Sequence, residues 1–190
     1  MKIGLYFGSF NPIHIGHLII ANHILNYTDL KKIWFIVSPQ NPLKQSHTLL
    51  NEYHRLQLVR LAIEDNPALV ASDVEFKLPK PSYTIDTLTY LKEKYPKNEF
   101  SVIMGSDSFQ NIKKWKNYHN LLDNNSIIIY KRPGFDIDST NYNLTILSST
   151  PLLEISATYI RNLIKEGKSI RYLVPDKAAA EIENLGYYKK

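Results

Sequence analysis

Short runs rich in Ile, Val, Phe and Tyr recur near residues 2–7, 32–38, 69–76, 99–104 and 126–131. Their length and their β-branched and aromatic content fit strands buried on both faces. Between them apolar residues return at helical spacing: Ile15, Leu18, Ile19 and Leu25, then Leu56, Leu58, Val59, Leu61, Ala62 and Ile63, then Ile85, Leu88 and Leu91. Alternating strands and helices predict an α/β, Rossmann-like doubly wound fold, a mainly parallel sheet with helices on both faces and right-handed crossovers. A further helix is expected over 113–122. Two more are expected to close the chain as a C-terminal helical segment, one opened by Ser156 and stopped by Gly167, the other opened by Pro175 and stopped by Gly186. Residues 39–50 and 133–145 are long polar connections, and ligands of open α/β sheets sit where such loops leave the carboxyl ends of the strands.

Composition narrows the class. A chain of 190 residues is expected to form one domain over 1–190, with 44% hydrophobic and 22% charged residues as in ordinary globular chains. It contains no cysteine, which removes a disulfide framework, a thiolate zinc site and a cysteine nucleophile together. No apolar run approaches the roughly 20 residues of a membrane span. The first eight residues read as a strand rather than a leader, so the expected location is cytoplasmic. A net charge of +5 suits an anionic partner, but the basic residues are scattered rather than striped, so a nucleotide fits as well as a nucleic acid.

The chemistry concentrates in Gly8-Ser9-Phe10-Asn11-Pro12-Ile13-His14-Ile15-Gly16-His17, which follows the first strand and opens the first helix. Gly8 is expected to permit a tight turn, and the amides of the helix start to face an anion. His14 and His17, three apart, would share a helix face and reach one phosphate. The segment is neither a P-loop nor a dinucleotide fingerprint. A bland alternative is a pair of capping histidines. The segment resembles the HxGH signature of the nucleotidyltransferase superfamily, and Ile155-Ser156-Ala157-Thr158-Tyr159-Ile160-Arg161 is similar to its second signature, ISxTxxR. Ser156 and Thr158 supply hydroxyls at a helix start, and Arg161 supplies a fork suited to polyphosphate. More narrowly, the 81–88 segment PSYTIDTL, Gly105-Ser106-Asp107, Trp115 and Lys131-Arg132-Pro133-Gly134 resemble the bacterial nicotinate-nucleotide adenylyltransferase family. The likeness covers almost the whole chain and is loosest across 45–52 and 135–150. Phe7 stands where many members carry another Gly, and Asn11 where Asp is common.

The resemblance implies condensation of nicotinate mononucleotide with ATP to give deamido-NAD and pyrophosphate. It implies His14, His17 and Arg161 as catalytic residues, and Gly8, Ser9, Phe10, Gly105, Asp107, Arg132, Ser156 and Thr158 around ATP. Asp107 would accept from the ribose hydroxyls, with a helix cap as the plain alternative. Lys44 would contact the mononucleotide phosphate, Tyr83 and Thr84 its ring carboxylate, and Trp115 would stack on the pyridine. The nucleophile is a phosphate with a second pKa of about 6, so no general base is needed. Magnesium is expected to arrive with ATP, with no metal site in the protein. The implied partners are these small molecules, not nucleic acid or a membrane, and homo-oligomerisation is left open. Nicotinamide mononucleotide, phosphopantetheine and cytidylyl transfer remain rival chemistries, and a basic nucleic-acid-binding module is the rival from another class.

Overall fold

The strands Lys2–Gly8 (β1), Lys32–Val37 (β2), Leu69–Ser72 (β3), Glu99–Gly105 (β4), Ser126–Tyr130 (β5) and Leu144–Leu147 (β6) form one sheet in the order β3-β2-β1-β4-β5-β6. Every neighbouring pair is parallel. The computed structural model describes residues 1–40, 48–137 and 142–189. The helices are Ile15–Tyr27 (α1), Glu52–Ile63 (α2), Thr84–Lys94 (α3), Ser106–Gln110 (α4), Tyr118–Asp123 (α5), Ala157–Lys165 (α6) and Asp176–Leu185 (α7).

Because successive strand side chains point to opposite faces, each strand feeds two cores. Ile3, Leu5, Ile36, Val102 and Ile129 pack with Leu88, Leu91, Phe109 and Leu121 from α3, α4 and α5. Tyr6, Phe35, Ile103 and Ile128 pack with Ile20, Leu58, Ile160 and Ile182 from α1, α2, α6 and α7. The near-continuous apolar character of β1 and β5 follows from this double burial, as in other parallel sheets.

Three local expectations are corrected. The strand expected over 69–76 ends at Ser72, and Val74–Lys77 forms a 3₁₀ turn; the Ser72 hydroxyl accepts from Val74 N–H and bends the chain there. The helix expected over 113–122 is two pieces, a 3₁₀ turn Ile112–Lys114 and α5, separated by Asn117 at φ +50°. A sixth strand, β6, lies at the end of the 133–145 connection and beyond. Its half-exposed Leu-Thr-Ile-Leu sequence suits a sheet edge, and it pairs only with β5. At the C-terminal end Ser156 caps α6 by accepting from Tyr159 N–H at 3.1 Å, and Gly167 and Gly186 follow their helices at positive φ. Pro175 opens α7 as its cap.

Candidate active site

The strand order reverses between β1 and β4, and the carboxyl ends of these two strands open the crevice in which doubly wound sheets bind ligands. The 8–17 segment leaves β1 into this crevice. Its turn is not made at Gly8. Phe10 carries the left-handed backbone, at φ +44°, and folds its buried ring back beneath the strand end. A Cβ on Gly8 would stand 2.7 Å from that ring, so glycine is required for close approach rather than for turning. Phe10 meets Tyr6, Phe35 and His17 edge-on, with the His17 ring centroid 5.1 Å away.

His14 is the N-cap of α1 and His17 stands in its first turn, with ring centroids 3.7 Å apart. The His14 backbone N–H donates to His17 Nδ1 at 3.2 Å. A neutral His17 therefore carries its proton on Nε2, a donor set by the fold. Gly16 leaves room for this pair: a Cβ there would approach His14 Nδ1 to 3.1 Å. His14 Nδ1 is buried without a hydrogen-bond partner. Burial, assisted by the Arg132 charge, depresses the His14 pKa to about 4. Burial, then the His14 and Arg132 charges, hold His17 well below the ordinary histidine range. Both rings are thus neutral at pH 7, each offering one N–H and no charge. The amide of Ile15, at the start of α1, is taken by the Leu173 carbonyl at 2.9 Å, so the helix start offers fewer free amides than its sequence suggests.

Two arginines hold the surrounding segments, and Arg132 acts on the pair itself. Arg161, on α6, donates to the Asn11 carbonyl at 2.7 Å and to Thr158 Oγ1 at 3.1 Å, joining the two distant signatures directly. Asn11 needs its amide: Nδ2 donates to the Thr48 carbonyl and Oδ1 accepts from Leu50 N–H. An Asp could not make the first of these bonds. Arg132, just beyond β5, donates its backbone N–H to Ser106 Oγ and sets Nε 3.5 Å from Asp107 Oδ1. Asp107 lies in the first turn of α4, and Gly105 is both the last residue of β4 and the residue before that helix. The cap position of α4 is held by Gly105. A Cβ on Gly105 would fall 2.3 Å from Asp107 Oδ1 and 3.1 Å from the Tyr130 ring, so glycine is again a matter of space.

A second group borders the α3–α5 core. Tyr83 is the N-cap of α3, Thr84 its first residue, and half-buried Trp115 follows the 3₁₀ turn. Lys116 joins them: it pairs with Asp86 at 2.7 Å and lies 4.8 Å over the Tyr83 ring. Lys44 lies outside the described residues. Among the described residues no three His, Asp or Glu side chains gather as a metal site, and no helix is long and apolar enough to cross a membrane.

Sequence reasoning missed Arg55, which is fully buried on α2. It donates to the carbonyls of Leu50, Ser9, Ser38 and Pro39, fastening the loop after β1 to the loop after β2. The signal was present. Arg55 begins the apolar stripe that continues through Leu58, Val59 and Ala62, so its charge faces the core. Tyr6 and Tyr130 were also missed; their hydroxyls lie 3.4 Å apart beneath His17 and Arg132. On sequence alone they read as ordinary strand aromatics.

A doubly wound parallel sheet with paired histidines at its switch point, Arg132 acting on them and Arg161 tied to the Asn11 backbone of the same segment, defines a nucleotidyltransferase-type site. The model of the cytidylyltransferase-like family matches residues 5–163. Probable nicotinate-nucleotide adenylyltransferases of Flavobacterium johnsoniae and Cytophaga hutchinsonii are 50% and 52% identical, covering 100% and 99% of this chain and 100% and 98% of their own. The chain belongs to the cytidylyltransferase-like family and, within it, to the nicotinate-nucleotide adenylyltransferases. A nicotinic acid mononucleotide adenylyltransferase of Plasmodium falciparum, solved with NaAD, shares the fold at a TM-score of 0.80 and 24% identity, over 98% of this chain and 97% of that one.

Proposed function

We infer that this protein transfers the adenylyl group of ATP to nicotinate mononucleotide, forming deamido-NAD and releasing pyrophosphate in the biosynthesis of NAD. The observation that carries the reading is the full-length identity of about half to nicotinate-nucleotide adenylyltransferases. In the reaction the mononucleotide phosphate oxygen bonds to the α-phosphorus of ATP while the bond from that phosphorus to the bridging oxygen breaks, and pyrophosphate carries the electron pair away. The attacking phosphate is already largely dianionic at neutral pH, so the protein has only to align it and stabilise charge.

The site chemistry supports a division of labour. The neutral rings of His14 and His17 donate N–H groups to the α-phosphoryl oxygens, where charge develops. As neutral rings they act as hydrogen-bond donors, the proton of His17 held on Nε2 by the His14 backbone. Arg161, held by Asn11 and Thr158, faces the departing β- and γ-phosphates together with Ser156 and Thr158. Backbone amides of Gly8, Ser9 and Phe10 line the phosphate path. Arg132 adds charge beside the histidines, while its pairing with Asp107 presents a ready-made donor and acceptor to the adenosine ribose. Tyr83 and Thr84 meet the ring carboxylate, Trp115 stacks on the pyridine, and Lys44 meets the mononucleotide phosphate. Magnesium belongs to the substrate, entering on the triphosphate. The reading puts the reaction in the cytoplasm.

The test is pyrophosphate release from ATP and magnesium with nicotinate mononucleotide, nicotinamide mononucleotide and phosphopantetheine supplied separately. Release with nicotinate mononucleotide, well above the other two, is expected. Release only with another acceptor would retain the histidine chemistry and overturn the substrate; none with any would overturn the reaction.

A further inference from the structure

The cluster around Glu75 is used by no step above. Glu75 lies in the 3₁₀ turn after β3 with 1% of its surface exposed. Its Oε1 accepts from Thr87 Oγ1 of α3 at 2.9 Å. Thr87 is wholly buried, and its backbone N–H donates to the Tyr83 carbonyl, the cap of the same helix. On the other side Glu75 Oε2 and Ser82 Oγ are both shut away from solvent without a completed hydrogen bond. The hydroxyls of Ser82, Thr87 and Ser38 face the carboxyl, and no cation acts on it among the described residues. Burial outweighs those hydroxyls and raises its pKa above the usual carboxylate value.

Three chain segments therefore converge on one carboxyl. Ser38 follows β2, and its backbone N–H donates to the Gly8 carbonyl at 2.9 Å. Ser82 immediately precedes Tyr83 and Thr84, and Thr87 lies one turn into α3. An unpaired buried acid costs stability, and a core would be better served by an apolar residue there. A carboxyl in this position gives a fixed spacing between the loop after β2 and the start of α3.

We propose that Glu75 is a positioning residue for the acceptor nucleotide: its carboxyl, hydrogen-bonded to Thr87 and set against the Ser82 hydroxyl, fixes the Tyr83–Thr84 helix start relative to the loop after β2. The proposal rests on the reading that Tyr83, Thr84 and Trp115 bind the mononucleotide ring. Glu75 itself touches no substrate. Its loss should therefore appear in the KM for one substrate only.

The experiment measures KM for each substrate and kcat for Glu75→Ala, Glu75→Gln, Thr87→Val and Trp115→Ala, with thermal melts to confirm folding. Glutamine retains an acceptor for Thr87 and adds a donor for Ser82. Glu75→Ala should raise the KM for nicotinate mononucleotide about tenfold, a loss the size of one or two net hydrogen bonds, with the KM for ATP unchanged. Glu75→Gln should stay within about twofold of the parent, because both contacts survive. Thr87→Val, nearly isosteric, should show the same one-sided rise and serves if alanine at 75 does not fold. An unchanged mononucleotide KM in Glu75→Ala or Thr87→Val, an equal rise for both substrates, or glutamine as damaging as alanine overturns the proposal. Trp115→Ala separates the two levels. If it raises the mononucleotide KM while the Glu75 and Thr87 variants do not, only the role of Glu75 fails; if none of them does, the placement of the ring fails with it.

Discussion

Replacing Arg55 by methionine removes the guanidinium that closes the floor of the site while nearly preserving side-chain length. In the native protein four carbonyls, those of Leu50, Ser9, Ser38 and Pro39, the first three part-buried and the last buried, receive Arg55 N–H groups at 2.7, 2.5, 2.8 and 3.2 Å. Two effects oppose one another. Methionine relieves the cost of keeping a cation out of water, which amounts to several kcal/mol. It also leaves four acceptors without their donor, at about 1–3 kcal/mol for each that stays shielded from water. No carboxylate partners the guanidinium in these contacts, so no second charge is stranded, and the carbonyl term decides the sign. A net loss of about 3–5 kcal/mol is expected, the cost of the four carbonyls less the several kcal/mol regained when the cation is removed. For a chain of this length that corresponds to a fall in Tm of about 6–20 °C. Urea denaturation followed by circular dichroism measures it, with the m-value checking that the same surface is exposed on unfolding. A loss below about 1 kcal/mol at an unchanged m-value would refute the reasoning, since the four carbonyls would then have to be satisfied some other way. Arg55→Lys is an internal control: three donors and no fork cannot serve four acceptors, so its loss should fall between those of the parent and methionine.

Three further outcomes follow from the histidine pair. His17→Ala removes a donor aimed at developing charge and should lower kcat about 10²–10³-fold with little change in the dissociation constant for nicotinate mononucleotide; near-normal turnover would remove His17 from catalysis. His14 titrates near pH 4 in the folded chain against an ordinary value of 6.5, so the unfolded chain binds more protons between those values and stability falls as pH drops through that window. At 1.36 kcal/mol per pH unit the full depression is worth about 3 kcal/mol, and His14→Gln should flatten the acid side of a stability profile by an amount of that order, measured by denaturation between pH 7 and 4.5. Gly16→Ala adds up to about 1 kcal/mol of helix propensity but crowds His14 at 3.1 Å, so turnover should drop about tenfold while the melting temperature holds or rises; unchanged turnover would show that the ring has room to spare.

Much of this protein is local and could be read from the chain alone. Strands buried on both faces have to be apolar along their whole length, so β1, β2, β4 and β5 announce themselves, and the helical spacing between them leaves a doubly wound sheet as the natural solution. The helix-start chemistry of Ser156, the positive-φ glycines after α6 and α7, and the pairing of two signatures are properties of a few adjacent residues. What the sequence left undecided depends on approach between distant segments. That Gly8 makes room for the Phe10 ring, and that the turn falls on Phe10, follows from how that ring packs under β1. Arg161 and Asn11 are 150 residues apart in sequence, and only the fold brings the guanidinium to that carbonyl. The neutrality of His14 and His17 arises from burial and from Arg132, which reaches them because β5 ends beside β4. Propensity and periodicity are carried by neighbours along the chain, whereas desolvation, hydrogen-bond geometry and electrostatic coupling are carried by neighbours in space. In this protein the first set built the sheet and the second set made its switch point a site.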